Sequence, residues 1–205
     1  MPHGKATDSY HHGDLRNALL SAGERLLNQQ GTAGLSLREV ARIAGVSHAA
    51  PYRHFRNKAA LLTALAQRGF ERLRDAIQAA AGRVPHGPEQ QLIAAGTAYV
   101  RRAIENPELT QLMFSGVVAP YRASQNGLAG DAAFKALQNI IETGITAGVF
   151  RQREPGELAL VAWTSMHGMA LLVSTGLVDV DPDDPVSVDS FVAAVASNVI
   201  YGIAR

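Results

Sequence analysis

The chain has 205 residues, 47% of them hydrophobic and 18% charged, with a formal net charge of +1 and no cysteine. This length suits one small head plus a larger domain, or a single all-helical domain; the absence of cysteine excludes disulfides and thiolate metal sites and makes a reducing cytoplasm the natural setting. The near-neutral total hides an asymmetry, because residues 1–74 carry 11 Lys and Arg against 5 Asp and Glu, and the remainder 8 against 13.

A basic head on an acidic body is the charge pattern of a DNA-binding module on a body that does not bind DNA. The first fourteen residues are polar, with His3, His11 and His12, and no secretory leader is visible in them. No apolar run approaches the length needed to cross a bilayer, so a soluble protein is expected. Leu15, Leu19, Ala22 and Leu26 mark an amphipathic first helix that begins after Asp14 and stops at Gly31.

The next segment, Ser36 to Lys58, reads SLREVARIAGVSHAAPYRHFRNK. Ser36 with Glu39 three residues later fits a capping box. Leu37, Val40, Ala41 and Ala44 form one buried stripe, and Gly45 ends the helix because it tolerates positive φ. Val46 anchors the turn, and Ser47 can cap a second, short helix. In that helix Pro51 and Phe55 share a core-facing side. Ala49, Ala50 and Arg53 lie roughly opposite, with His48 and Tyr52 on the flank. Pro51 disfavours helical geometry at Ala50. The small residues allow close approach to DNA, while His48, Tyr52 and Arg53 can reach phosphates or base edges.

Helices continue to the end of the chain. Asn57 caps a long one through about Ala81, and residues 82–88 are a loop. Further helices are expected from about Glu89 to Glu105, from Glu108 to about Ser115, and, past a looser link with Pro120 and Asn126-Gly127, from Leu128 to Ala147 with Gly148 closing it. After Glu154-Pro155 a markedly apolar helix runs to about Thr175. An acidic, proline-punctuated loop separates it from a last helix, about Val188 to Ile203. No repeat and no convincing strand pattern is present, so the fold class is all-α. Asp179 to Asp184 read as a solvated turn whose spacing does not match a calcium loop. No nucleophile elbow, phosphate-binding glycine loop or HExxH motif is present. The expectation is therefore no catalytic residue, no metal and no cofactor.

Ser36 to Lys58 resembles the DNA-binding signature of the tetracycline-repressor (TetR) family. The resemblance is carried by Gly45-Val46-Ser47, Tyr52-Arg53-His54-Phe55, Lys58 and the leucine-rich helix after it, and by His11 to Leu20 at the start. Trp163, His167 and Gly168 are similar to the Trp-His-Gly motif of one C-terminal domain class of that family. The resemblance implies a helix-turn-helix head over residues 1–60 and a helical effector-binding and dimerisation body over 61–205. It implies a homodimer reading a palindromic double-stranded DNA operator. Ser36, Arg38, Ser47, His48, Ala49, Ala50, Tyr52 and Arg53 fall at its DNA-facing positions, with His54 and Lys58 toward phosphates. Ala50 departs from members with a polar residue there, and Pro51 replaces a more usual aliphatic residue, so the first turn of the recognition helix is expected to be irregular.

For the body, the expected function is a repressor released from its operator by a small-molecule effector. Tyr99, Leu112, Met113, Phe114, Tyr121, Ile141 and Trp163 are the expected cavity residues. His167 reads first as a hydrogen-bonded core or interface residue, with effector contact as the alternative. The two final helices, rich in small residues, are the expected dimer interface, through Gly168, Leu171, Ser174, Phe191, Val195 and Val199. The competing function is a helical ligand-binding or scaffold protein whose basic head makes protein contacts.

Overall fold

Prolines stand at the first or second position of four of the described α-helices, and glycines of positive φ follow the ends of three. The computed structural model describes residues 12–85, 87–116 and 128–203. In chain order the helices are α1 (His12–Gly34), α2 (Leu37–Ala44), a 3-10 turn (Pro51–Arg53), α3 (Lys58–Gly82), α4 (Gly87–Glu105), α5 (Pro107–Phe114), α6 (Leu128–Thr146), α7 (Pro155–Ser174) and α8 (Pro185–Ile203). No β-strand occurs among the described residues, and the expected all-α class is what is found. Tyr121, Pro120 and Asn126-Gly127 lie outside the described residues.

The expected stop at Gly31 is a kink. Gly31 has φ 63° and ψ −172° inside α1, and a short further turn reaches Gly34. Asn57 caps α3 as expected, its Oδ1 accepting from the Ala60 N–H at 2.9 Å.

The chain divides into two compact units, one ending at Leu65 and one starting at Ala66, with the division inside α3. In the first unit α1 packs on α2, and α2 on the 3-10 turn. Leu19, Leu26, Leu35, Val40, Leu61 and Leu65 form its core. In the second unit α4 is central and packs against α5, α6, α7 and α8. Its largest fully buried side chains include Leu92, Tyr99, Leu112, Leu137 and Phe150. At the end of α6 the Phe150 ring lies where a Cβ on Gly144 would project, so only glycine lets ring and backbone approach this closely. Arg101 on α4 clamps Asp189 on α8 with two hydrogen bonds, Nε to Oδ1 at 2.7 Å and Nη2 to Oδ2 at 2.6 Å.

One expectation is corrected by α7. By length and composition this helix is apolar enough to cross a membrane, contrary to the expectation that no run in the chain approaches that length. The reason is that both of its sides are apolar. Leu158, Ala162, Met166, Met169 and Val173 are buried in the unit, whereas Leu160, Val161 and Leu171 remain about half exposed at 55%, 46% and 58%.

Candidate nucleic-acid interface and ligand cavity

In the first unit the chain enters α2 through Ser36, whose Oγ accepts from the Glu39 N–H at 3.2 Å. The Glu39 carboxylate in turn accepts from Arg42 Nε at 2.7 Å, and this hydrogen bond holds its pKa below the ordinary value. Gly45 leaves the helix at φ 70°. Its N–H donates to the Arg42 carbonyl at 3.2 Å and that of Val46 to Ala41 at 3.0 Å. This is a Schellman closure, and it turns the chain sharply while satisfying the last carbonyls of α2.

Beyond this closure the structure departs from the short α-helix expected from the sequence. Residues 48–50 are turns, and Pro51–Arg53 is 3-10 helix. The cause is Pro51, which has no N–H to give to the Ser47 carbonyl four residues back. That carbonyl is taken instead by the Ala50 N–H at 3.0 Å, and Arg53 donates to Ala50 at 3.2 Å in the same tight pattern. Ala50 itself stays at φ −61°, ψ −43°. The helical conformation that a following proline disfavours is therefore retained, and the expected distortion appears in the hydrogen bonding.

The turn sorts its side chains cleanly. Pro51 and Phe55 are buried, while Arg38, Ser47, His48, Ala49, Tyr52 and Arg53 are exposed, with Ala50 and His54 half-buried. Arg16 stands over the Phe55 ring, with its guanidinium carbon 5.7 Å from the centroid. Lys58 is more constrained than expected: it is half-buried, and Nζ donates to the Ala33 carbonyl at 3.3 Å.

In the second unit the Tyr99 hydroxyl lies 2.9 Å from His167 Nδ1. The Tyr99 ring meets Trp163 edge-on at 5.3 Å, and the His167 ring sits 4.4 Å from Phe114. Phe70 and Phe134 extend this aromatic cluster, against Phe114 and Trp163 respectively. Burial pushes the Tyr99 hydroxyl well above its ordinary pKa and pulls the His167 imidazole below its own, so both are neutral at pH 7.

Beside the cluster is a cavity of about 500 Å³ lined by α4, α5 and α7. Among its walls are Glu108, Thr110, Phe114, His167, Ala170 and Ser174. Of the expected cavity residues, Phe114 and His167 line it. Tyr99 and Met113 line a much smaller void of about 30 Å³ that also touches Phe114. Trp163 is in the aromatic cluster, while Leu112 and Ile141 are fully buried core and do not line the cavity. Leu171 and Ser174, expected at a dimer interface, line it too. Most of the α5 wall was not expected from the sequence: Pro107, Glu108, Thr110, Gln111 and Ser115. The polar residues of that short amphipathic helix were the only available signal.

The remaining interface candidates are part-exposed. Gly168, Phe191, Val195 and Val199 are half-buried and Ser174 is exposed, whereas Ala170 and Ala196 are buried within the unit.

A helix-turn-helix head followed by an all-helical body with a cavity defines a class of bacterial regulators. Residues 19–65 match the family model described as bacterial regulatory proteins, tetR family. Residues 92–196 match that of the tetracyclin repressor-like C-terminal domain. The chain belongs to the tetR family. It is similar to a helix-turn-helix-type transcriptional regulator of Mycobacterium tuberculosis, 32% identical over 65% of this chain and 58% of that protein. It thus spans little more than half the length of this curated relative. It is also similar to the tetracycline repressor protein class A from transposon 1721 of Escherichia coli, 49% identical over 25% of this chain and 24% of that one. A solved structure of a protein of unknown function from Rhodococcus sp. RHA1 superposes with a TM-score of 0.80 at 36% identity, covering 97% of this chain and all of that one.

Proposed function

We propose that this protein is a cytoplasmic, DNA-binding transcriptional regulator, a homodimeric repressor released from a palindromic operator by a small molecule. The observation that carries this is the first unit's turn. A buried Pro51–Phe55 side leaves Arg38, His48, Ala49, Tyr52 and Arg53 exposed around a backbone of small residues. Cationic and aromatic side chains flanking alanines suit a major groove, where charge finds phosphates and small side chains permit close approach. Ser36 and Ser47 frame the unit, Ala50 adds a methyl surface, and His54 faces phosphate. Lys58, already on the Ala33 carbonyl, serves chiefly to fasten the end of α1 and reaches phosphate only by exchanging that acceptor.

Dimerisation is supported by the exposed apolar side of α7, which runs through Leu160, Val161, Thr164, Gly168, Leu171 and Leu172, and by the 79% exposed Tyr201 on α8. An apolar helix face left at the surface of a regulator of this family fits a second copy of the same face. Val199 lines one surface hollow with Val161 of that face, and Phe191 and Val195, half-buried on α8, join the proposed interface. The effector enters the α4–α5–α7 cavity, whose volume falls in the range of small-molecule sites. Trp163, His167 and Gly168, in this reading, are the Trp-His-Gly signature of the body. Effector and operator binding are then antagonistic and reciprocal.

The test is selection of bound sequences from random DNA, then fluorescence anisotropy on the selected site at several salt concentrations. The expected result is a palindromic site whose affinity falls steeply with salt. Failure to retain any DNA in a salt-dependent manner sinks the proposal.

A further inference from the structure

The cavity contains one polar group whose chemistry the surrounding structure fixes. Tyr99 is 1% exposed, and His167 Nδ1 is the partner of its hydroxyl. A buried hydroxyl without an acceptor is costly, so the O–H of Tyr99 donates to Nδ1. The lone pair of Nδ1 is then engaged, and the neutral imidazole must carry its proton on Nε2. Nε2 has no partner among the described residues. None of their buried side-chain nitrogens or oxygens is left unpaired, so Nε2 is accessible, and the space His167 borders is the cavity. His167 therefore presents a single N–H donor there, with its orientation set from behind by Tyr99.

The rest of the lining narrows the ligand. The Phe114 ring, 4.4 Å from that of His167, provides a flat apolar wall. Ala103, Ala170 and Leu171 extend it. Glu108 is the one formally charged side chain among the lining residues, and its carboxylate disfavours an anion in a partly enclosed space. A donor that needs an acceptor, an apolar wall and an unfavourable potential for negative charge together select one ligand chemistry.

We infer that His167 is the polar anchor of the cavity and that its Nε2–H donates to the carbonyl oxygen of a ring-bearing ligand that is not an anion. This rests on the cavity being the effector site, and Tyr99 is a positioning residue that acts through the imidazole tautomer.

Two neutral fluorescent probes test it on the full chain: 6-propionyl-2-dimethylaminonaphthalene, which has a ketone, and N-phenyl-1-naphthylamine, which has none. Wild-type protein should bind both. His167→Phe, which keeps an aromatic ring but has no donor, should weaken the ketone about tenfold. It should also shift the bound ketone's emission to the blue, and leave the amine within about threefold. His167→Gln keeps an N–H donor and should recover most of the ketone affinity. Long-range proton–nitrogen correlation spectra of labelled protein should show His167 as the Nε2–H tautomer, and Tyr99→Phe should mix the tautomers.

If wild type binds both probes but His167→Phe treats them alike, the anchor is overturned while the cavity reading stands. An Nδ1–H tautomer in wild type overturns it equally. Binding of neither probe removes the cavity as a ligand site, and the inference with it. Circular dichroism of each variant guards against reading misfolding as lost recognition.

Discussion

The Tyr99 hydroxyl and His167 Nδ1, 68 residues apart in sequence, are joined at 2.9 Å and tie α4 to α7. Burial lowers the His167 pKa from its ordinary 6.5. Protons are then bound more readily by the unfolded chain than by the folded one. The stability this site contributes is complete above about pH 6.5 and is lost as pH falls through the depressed folded value. The groups around the imidazole are Tyr99 and Phe114, with Glu108 on the same cavity. Thermal unfolding of wild type and His167→Gln between pH 5 and 8 should converge at low pH, as wild type loses its excess. Parallel curves would remove His167 as the titrating group.

Gly144 faces the Phe150 ring, and a methyl there collides with aromatic atoms that are fully buried and cannot retreat. Gly144→Ala should cost about 1–3 kcal/mol of overpacking strain. Gly69→Ala should cost less, because the Met113 thioether that a Cβ meets at 2.5 Å belongs to a flexible side chain. Urea titrations of the two variants decide the order.

Arg38→Ala and Arg53→Ala should each weaken operator binding across all sequences. Each should lower the slope of log affinity against log salt by about 0.9 if it contacts one phosphate. Sedimentation should find the assembly state unchanged. Tyr52→Phe and His54→Ala should also weaken binding. Unaltered affinity in all four would show that this turn does not face DNA.

Ala49 is exposed and Ala50 half-exposed, and neither has a hydrogen-bonding side chain. Their readout of sequence is restricted to apolar contact, for which the thymine methyl is the natural partner. Replacing the facing thymidine by deoxyuridine removes only that methyl. It should lower affinity about fourfold, the worth of roughly 0.8 kcal/mol for one buried carbon. A scan of single deoxyuridine substitutions with no sensitive position would contradict this.

Leu160→Glu places a charge in the exposed apolar side of α7, where Leu160 is 55% exposed in the single chain. If a second copy covers that side, light scattering should show dissociation to monomers with helicity intact. A variant that remains dimeric at micromolar concentration would move the interface elsewhere.

Much of the helical skeleton was legible because it depends on local chemistry. Ser36, Gly45 and Asn57 act within four residues of themselves, so their caps could be read without knowing what packs where. The buried sides of α2 and the 3-10 turn were legible for the same reason, since periodicity decides them. Pro51 lies at the boundary. Its missing N–H is a property of the residue, but the turn that resulted also depends on Pro51 and Phe55 being held in the core.

The cavity was not legible in this way. Tyr99, Phe114 and His167 all stand out in the sequence, but as separate apolar or polar positions; only packing of α4, α5 and α7 made them one site. The α5 wall is hidden in the sequence because Glu108, Thr110 and Gln111 look like any solvated helix face until α7 is placed opposite. The sequence by itself determined most helix boundaries to within a few residues, the end of α1 and the recognition turn excepted, and the buried side of most helices, because hydrogen-bond chemistry and periodicity act over a few residues. Only the tertiary structure decided that one side of α7 is spent on the core and the other left at the surface, and that His167 is held by Tyr99. Both depend on groups far apart in the chain that meet only when the helices pack.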